Sequence, residues 1–143
     1  MNNNNDLDSY YQSALQFISC NSLDRAISKL NKCIALDIEY SDALLLLAQL
    51  HIQKSQLDTA LVTYTKARTI KKFTPEAIAG ISRIQRLQGN TEKAYNFISD
   101  EIKSRKSNVA IIISFSEICI ELGLYSDAIG TIEDLLNNND NCS

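Results

Sequence analysis

Few side chains of this 143-residue sequence are of the kinds that carry out covalent or metal chemistry. There is one histidine, His51, and there are four cysteines, Cys20, Cys33, Cys119 and Cys142. The cysteines form no CxxC pair, which is the spacing typical of zinc sites and redox motifs. The sequence also lacks HExxH, P-loop and Rossmann glycine patterns, and no acidic pair is typical of acid–base catalysis. We therefore expect no enzyme, no cofactor and no metal site, and we expect His51 to be packed against the core.

The cysteines are predicted to be free thiols, most of them buried. Disulfide frameworks are typical of small secreted domains, and the first residues, MNNNNDLDSYY, have neither the basic nor the apolar region of a signal peptide. The longest apolar runs, residues 43–48 and 109–113, are too short to cross a bilayer. These features predict a cytoplasmic protein without a membrane-spanning segment.

Composition and charge exclude several classes of partner. The net charge is −3 and the isoelectric point is about 5.1, so no strongly basic surface is available for nucleic acid or anionic lipid. Hydrophobic residues make up 45% of the chain, which is typical of a globular protein. The chain has four glycines and one proline, and this scarcity of turn residues favours helices over strands.

A small residue recurs every 34 residues along the chain, at Ala26, Ala60, Ala94 and Ala128. An acidic or hydroxyl residue stands two positions before each alanine, and a large apolar residue follows four positions after it. Small residues also lie twelve positions before each alanine, and large apolar residues sixteen before. The period predicts a disordered Asn-rich tail over residues 1–6 and four repeats, 7–40, 41–74, 75–108 and 109–142.

Each repeat has the pattern of two amphipathic helices joined by a short turn. Apolar residues recur at spacings of three and four positions. Gly89 and Gly123 lie where a helix pattern stops, and Thr74, Pro75 and Glu76 are typical of a helix start. The predicted helices are 7–20, 23–37, 41–54, 57–71, 75–88, 91–105, 109–122 and 125–137.

This pattern resembles the tetratricopeptide repeat (TPR), a family of 34-residue helix-turn-helix units. The resemblance covers residues 7–142, and the large residues at unit positions 4 and 24 and the small ones at 8 and 20 agree in all four repeats. No repeat has the family's proline at position 32, and position 27 holds Glu101 and Leu135 in the last two repeats. The resemblance implies an all-α fold, an α-α superhelix of four helix-turn-helix repeats with eight helices.

The resemblance also implies a concave groove lined by the first helices, with unit positions 2, 5, 9 and 12 facing a partner. The candidate groove residues at these positions are Tyr11, Leu15, Ile18, Leu45, Gln49, Ile52, Arg83, Arg86, Ile113, Glu117 and Ile120. Most are apolar, which favours a peptide or an amphipathic helix as the bound segment. An equally open interpretation is that some of them contact neighbouring helices or a missing segment of the parent chain. For Arg83 and Arg86, pairing with Glu117 and Glu121 is favoured over an anionic contact on the partner.

The predicted function is therefore a non-catalytic scaffold or adaptor that binds a peptide or helix of a partner protein. The lysines, asparagines and arginine with which some TPR proteins hold chaperone EEVD tails are missing, so that partner is not expected. One alternative is the N-terminal region of a larger enzyme, such as a sulfotransferase or glycosyltransferase. Another is a homodimer through the last helix, because Ile129, Ile132, Leu135 and Leu136 make it apolar where a terminal repeat should be polar.

Overall fold

The computed structural model describes residues 3–71, 74–104 and 108–140. Within these ranges the chain is all-α and has no strand. Its helices are α1 (Asn3–Ser19), α2 (Leu23–Leu36), α3 (Ser41–Gln53), α4 (Leu57–Ile70), α5 (Pro75–Leu87), α6 (Thr91–Ser104), α7 (Val109–Glu121) and α8 (Tyr125–Asp140). From α2 to α7 each helix begins at the predicted residue and ends one residue before the predicted end.

The predicted disordered tail is the clearest error at the N-terminus. Helix α1 begins at Asn3, so residues 3–6 are helical, whereas residues 1 and 2 lie outside the described part. Extending an existing helix costs much less than nucleating a new one. Asp6 in the first turn also interacts favourably with the positive end of the helix dipole. The low complexity of the asparagine run therefore did not prevent helix formation.

The helices group into two compact units, Met1–Phe73 and Thr74–Ser143. The first unit contains α1 to α4, in which α1 packs on α2, α2 on α3, and α3 on α4. The second contains α5 to α8, in which α5 packs on α6 and α7, α6 on α7, and α7 on α8. Each unit thus holds two of the predicted repeats, and a single domain spanning residues 7–142 stays a prediction.

The core of the first unit is built where the helices approach each other with small side chains. Ala14 of α1, Ala26 of α2 and Ala43 of α3 are fully buried, and Leu30 and Leu50 fill the space beside them. Small side chains allow two helix backbones to come close while larger neighbours interlock around them. The repeated alanine therefore marks the contact between paired helices.

The second unit is built in the same way. Ala94 of α6 and Ala128 of α8 are buried, and Ile98, Phe115 and Ile118 belong to the same cluster.

The cysteines are free thiols, as predicted for the described part of the chain. Cys33 and Cys119 are buried in the two cores and Cys20 is exposed, whereas Cys142 lies outside the described residues. Burial raises the pKa of the Cys33 and Cys119 thiols, because a low-polarity environment disfavours the thiolate. Both therefore act as small apolar side chains in the cores.

The turn between the two helices of each repeat has one conformation in all four repeats. Asn21, Ser55, Gly89 and Gly123 have positive φ angles of 55°, 59°, 81° and 74°. The amide of the following residue donates to a carbonyl five residues back, as from Gln56 to His51 at 2.8 Å and in each of the other repeats. This is the Schellman ending of a helix. The two glycines predicted this turn in the last two repeats, whereas Asn21 and Ser55 gave no sequence signal for it in the first two.

Two helices begin at recognisable signals. Pro75 is the first residue of α5, as predicted, but the side chain of Thr74 makes no capping hydrogen bond. Asn108 is the N-cap of α7, and its side-chain oxygen accepts hydrogen bonds from the amides of Ala110 at 2.9 Å and Ile111 at 3.4 Å.

Replacing Ala60 by leucine tests the packing of α4. Ala60 is fully buried, so the larger side chain should push the backbones apart and lower the free energy of unfolding by about 1–3 kcal/mol. Urea unfolding followed by circular dichroism measures the loss. Thr59→Leu, one residue earlier at an exposed position, is the matched control and should unfold like the parent. If Ala60→Leu matched the parent as well, α4 would not approach its neighbour at this residue.

Replacing Ser55 by glycine tests the turn. A non-glycine residue in the left-handed region is strained, so Ser55→Gly should raise the free energy of unfolding by about 0.5–1 kcal/mol. Ser28→Gly, at an exposed position inside α2, should instead lower it by a similar amount. The same urea experiment compares them, and a loss of stability in both variants would contradict the assigned turn.

Candidate protein-binding surface

In the first unit, the predicted groove residues lie on α1 and α3. They are Tyr11, Leu15, Ile18, Leu45, Gln49 and Ile52. Leu15 and Gln49 are exposed and the other four are half-buried. Tyr11 and Ile18 pack against the core cluster of this unit. Some members of the apolar set therefore contribute to the core and others remain open to solvent, and the binding role of the exposed ones stays a prediction.

An aromatic contact fixes one of these side chains. The ring of Tyr11 meets that of Tyr40 edge-on, with centroids 5.5 Å apart. Burial raises the pKa of the Tyr11 phenol, and the nearby carboxylate of Asp42 raises it further, so the ring stays neutral. The groove set did not include Tyr40, although an aromatic residue just before α3 was a signal that could have placed it there.

In the second unit, the predicted residues lie on α5 and α7. They are Arg83, Arg86, Ile113, Glu117 and Ile120. All but Arg86 are exposed. Ile113 and Ile120 lie seven positions apart, which is two helical turns, so they share one face of α7. Helix α7 therefore presents two large apolar side chains to solvent.

Arg86 joins α5 to α7 through two carboxylates. Its Nη1 donates to Oε2 of Glu117 at 2.6 Å, and its Nε donates to Oε1 of Glu121 at 3.0 Å. Its Nη2 donates to the same oxygen of Glu121. This is the local ion-pair cluster that the sequence favoured for this residue. The Arg86 guanidinium is thus occupied by its own chain.

The ion pairs shift the pKa values of both partners. The hydrogen bonds to Glu121 raise the pKa of Arg86, although partial burial opposes this shift. The hydrogen bond from Arg86 lowers the pKa of Glu121. Since Glu121 is exposed, solvent screens the interaction and its contribution to stability is small.

Arg83 differs from Arg86. Its side chain is exposed, and none of the ion pairs in the described part of the chain involves it. Its positive charge is therefore available to a carboxylate or phosphate of another molecule.

His51 is not packed into the core as predicted. It is half-buried in the last turn of α3, and its Nδ1 lies 2.7 Å from Oε1 of Gln56. The end of the helix brings the ring next to the following turn, where a polar partner is available. Across residues 3–71, 74–104 and 108–140, no three His, Cys, Asp or Glu side chains are grouped so as to hold a metal ion. No helix among the described residues is long and apolar enough to span a membrane.

The paired helices, their left-handed turns and the buried alanines define a repeat protein of the tetratricopeptide type. The model of the family described as "Anaphase-promoting complex, cyclosome, subunit 3" matches residues 53–135, which is more than half of the chain. The chain belongs to this family of helical repeat proteins. No curated protein matches the sequence significantly.

Solved structures with similar folds are repeat proteins of the same kind. A tetratricopeptide repeat protein from Parabacteroides merdae superposes with a TM-score of 0.75 at 17% identity, over 95% of this chain and 54% of that chain. MamA superposes with a TM-score of 0.73 at 15% identity, over 94% of this chain and 79% of that chain. YrrB is described as a TPR protein with an unusual peptide-binding site. It superposes with a TM-score of 0.65 at 15% identity, over 90% of this chain and 66% of that chain. At these identities the similarity concerns the fold alone, and it confirms the predicted all-α solenoid class.

Replacing Glu121 by glutamine tests the Arg86 cluster. The variant should lose less than about 1 kcal/mol of unfolding free energy near neutral pH, because an exposed ion pair contributes little. The folded-state pKa of Glu121 is lowered, so its stabilisation is present above the unfolded pKa and is lost as the pH falls through the folded pKa. The difference from the parent should therefore shrink as the pH is lowered from neutral through the acid range below the ordinary pKa of a glutamate side chain.

Urea unfolding at neutral pH and in acid measures this difference in unfolding free energy. Glu133→Gln, at an exposed position of α8, is the control and should match the parent throughout. A Glu121→Gln deficit that persisted in acid would mean that the side chain acts through packing and not through its charge.

Proposed function

We propose that this protein is a non-catalytic scaffold or adaptor that binds a peptide or amphipathic helix of a partner protein on the exposed faces of its first helices. One observation carries the proposal: Leu15, Ile113 and Ile120 are 39%, 53% and 55% exposed at positions where first helices face outward. Large apolar side chains on a folded surface are typical of protein-binding sites when they are grouped. Ile113 and Ile120 form such a group on α7.

Two polar residues at the predicted groove positions favour a particular partner chemistry. Arg83 offers an unpaired guanidinium, and Gln49 offers an exposed amide with both a donor and an acceptor. A segment with an apolar side and an acidic residue would match the α5 and α7 faces, since Arg86 is neutralised and Arg83 is not. Helix-in-groove binding uses this combination of apolar anchors and polar contacts.

The related proteins support a role in protein binding. The matched family is described as a subunit of a multi-protein complex. YrrB is described as having a peptide-binding site on a fold of the same type. Free thiols such as those of Cys20, Cys33 and Cys119 are typical of a reducing compartment, which supports a proposed cytoplasmic location.

Self-association is a second candidate, favoured by a different surface. Ile129, Ile132 and Leu136 of α8 are 56%, 42% and 58% exposed. A homodimer would cover them, and light scattering over a range of concentrations would detect it.

A double variant of α7 tests the proposed binding face. Ile113→Glu with Ile120→Glu places two charges where the partner's apolar side would dock, and should reduce the partner proteins retained in a pull-down by at least about tenfold. The substituted side chains are exposed, so the fold should persist, and circular dichroism checks this.

Leu36→Glu with Val62→Glu is the matched control. Both residues are exposed apolar side chains on second helices, and this variant should retain the same partners as the parent. If the α7 variant also retained them, the first-helix face would not be the binding site.

A further inference from the structure

A cleft of about 490 Å³ lies between α6 and α8, the two second helices of the second unit. Ligand-binding clefts in proteins commonly have volumes of about 300–1,000 Å³. Tyr95 and Phe115 supply its aromatic lining, with ring centroids 5.5 Å apart. Apart from Phe115, all of its lining residues belong to α6 and α8. The cleft is therefore separate from the exposed first-helix faces that carry the proposed function.

Carboxylates outnumber basic groups along this cleft. Asp100 of α6 and Asp127 and Asp134 of α8 line it, and Lys103 is the one basic residue among the described residues that do so. All four are exposed, and none belongs to an ion pair found in the described part of the chain. Even with one carboxylate paired to Lys103, two would remain. The cleft thus combines aromatic rings with an excess of negative charge, and both attract a guanidinium group.

The α8 side of the cleft is open at Gly130, which lies in the interior of the helix. Apart from the helix backbone and its neighbours in the chain, no atom lies within 4 Å of the position that its Cβ would take. No packing contact therefore requires glycine, although glycine inside a helix is less stable than alanine. The corresponding residues of the other second helices all have side chains, and they are Ser28, Val62 and Asn96. The missing side chain leaves room in the cleft for an occupant.

A second cleft of about 480 Å³ continues the first toward the C-terminal end of α8. The two have four lining residues in common, which are Ile102, Lys103, Thr131 and Asp134. From Ser126 to Asn138, the α8 residues that line them span about 18 Å at a rise of about 1.5 Å per residue. An extended chain of about five residues has this length. The combined cleft is therefore better matched by a peptide segment than by a single small molecule.

We propose that the cleft between α6 and α8 binds an extended peptide segment of a partner protein that carries an arginine. The arginine side chain enters beside Gly130, with its guanidinium near the carboxylates of Asp127 and Asp134. Arginine suits this place because its planar guanidinium stacks on aromatic rings and forms paired hydrogen bonds with a carboxylate. The site prefers a positive charge, whereas the exposed Arg83 on the first-helix face of α5 prefers a negative one.

The test uses two blocked pentapeptides that differ in one group. The first is Ala-Ala-Arg-Ala-Ala, and the second has citrulline, an uncharged amino acid of nearly the same shape, in place of arginine. Amide chemical shifts of the isotope-labelled full chain measure both affinity and location. The arginine peptide should bind at least about tenfold more tightly than the citrulline peptide, and added salt should weaken its binding. Its largest shifts should fall on the amides of Asp100, Gly130 and Asp134.

Two variants locate the site. Asp127→Asn with Asp134→Asn removes two charges at nearly constant shape, and Gly130→Leu fills the cleft where free space surrounds the helix. Each should weaken binding of the arginine peptide by at least about tenfold. Circular dichroism checks that both variants fold.

Glu92→Gln with Glu133→Gln is the matched charge control. It changes two exposed carboxylates of α6 and α8 that do not line the cleft, and it alters the net charge by the same amount. This variant should bind the arginine peptide like the parent. Ile113→Gln with Ile120→Gln alters the first-helix face and should also leave the binding unchanged, so failure of this proposal is distinct from failure of the proposed function.

Three results would overturn the proposal. The first is equal binding of the arginine and citrulline peptides. The second is a cleft variant that binds like the parent, or a charge control that loses as much affinity as the cleft variants, since overall charge would then explain the binding. The third is equally tight binding of acetyl-arginine amide alone, since the occupant would then be a small guanidinium compound and not a peptide.

Discussion

The close contact between paired helices is the constraint on which the rest of this structure depends. Ala26, Ala60, Ala94 and Ala128 are between 0% and 4% exposed, although they lie in four different helices. A small side chain at this point lets two backbones approach, and the larger residues around it then interlock. Because the contact recurs at a fixed period, the helices that form it share nearly the same length and register.

The turn between the helices imposes the second constraint. Each first helix ends with one residue in the left-handed conformation, and the chain reverses at once into the second helix. Two repeats use glycine, which adopts this conformation without strain. Asn21 and Ser55 adopt it in the other two. Asparagine tolerates this region better than most residues with a side chain, whereas serine is strained there.

Packing of each repeat on its neighbours decides which apolar side chains become surface. Leu30 and Ile98 are buried in their core clusters, whereas Ile132, a large apolar residue at the same repeat position, is partly exposed. On the first helices, Tyr11 and Ile18 contribute to the core while Ile113 and Ile120 remain exposed. The apolar residues of α7 and α8 are therefore exposed where no other helix of the described residues packs on them.

The sequence by itself determined the repeat period, the helix bounds from α2 to α7 and the buried alanines, because these depend on local spacing and side-chain size. It also anticipated the pairing of Arg86 with Glu117 and Glu121, since residues one period apart lie on neighbouring first helices. The helical state of residues 3–6 continues α1 and was missed because the asparagine run was interpreted by its low complexity. The half-exposed His51 and the division of the apolar groove residues into core and surface were decided by tertiary structure. The physical reason is that burial is a property of the neighbours. The types and spacing of the side chains predict which face of a helix each one occupies. Only the packed structure determines whether another helix covers that face.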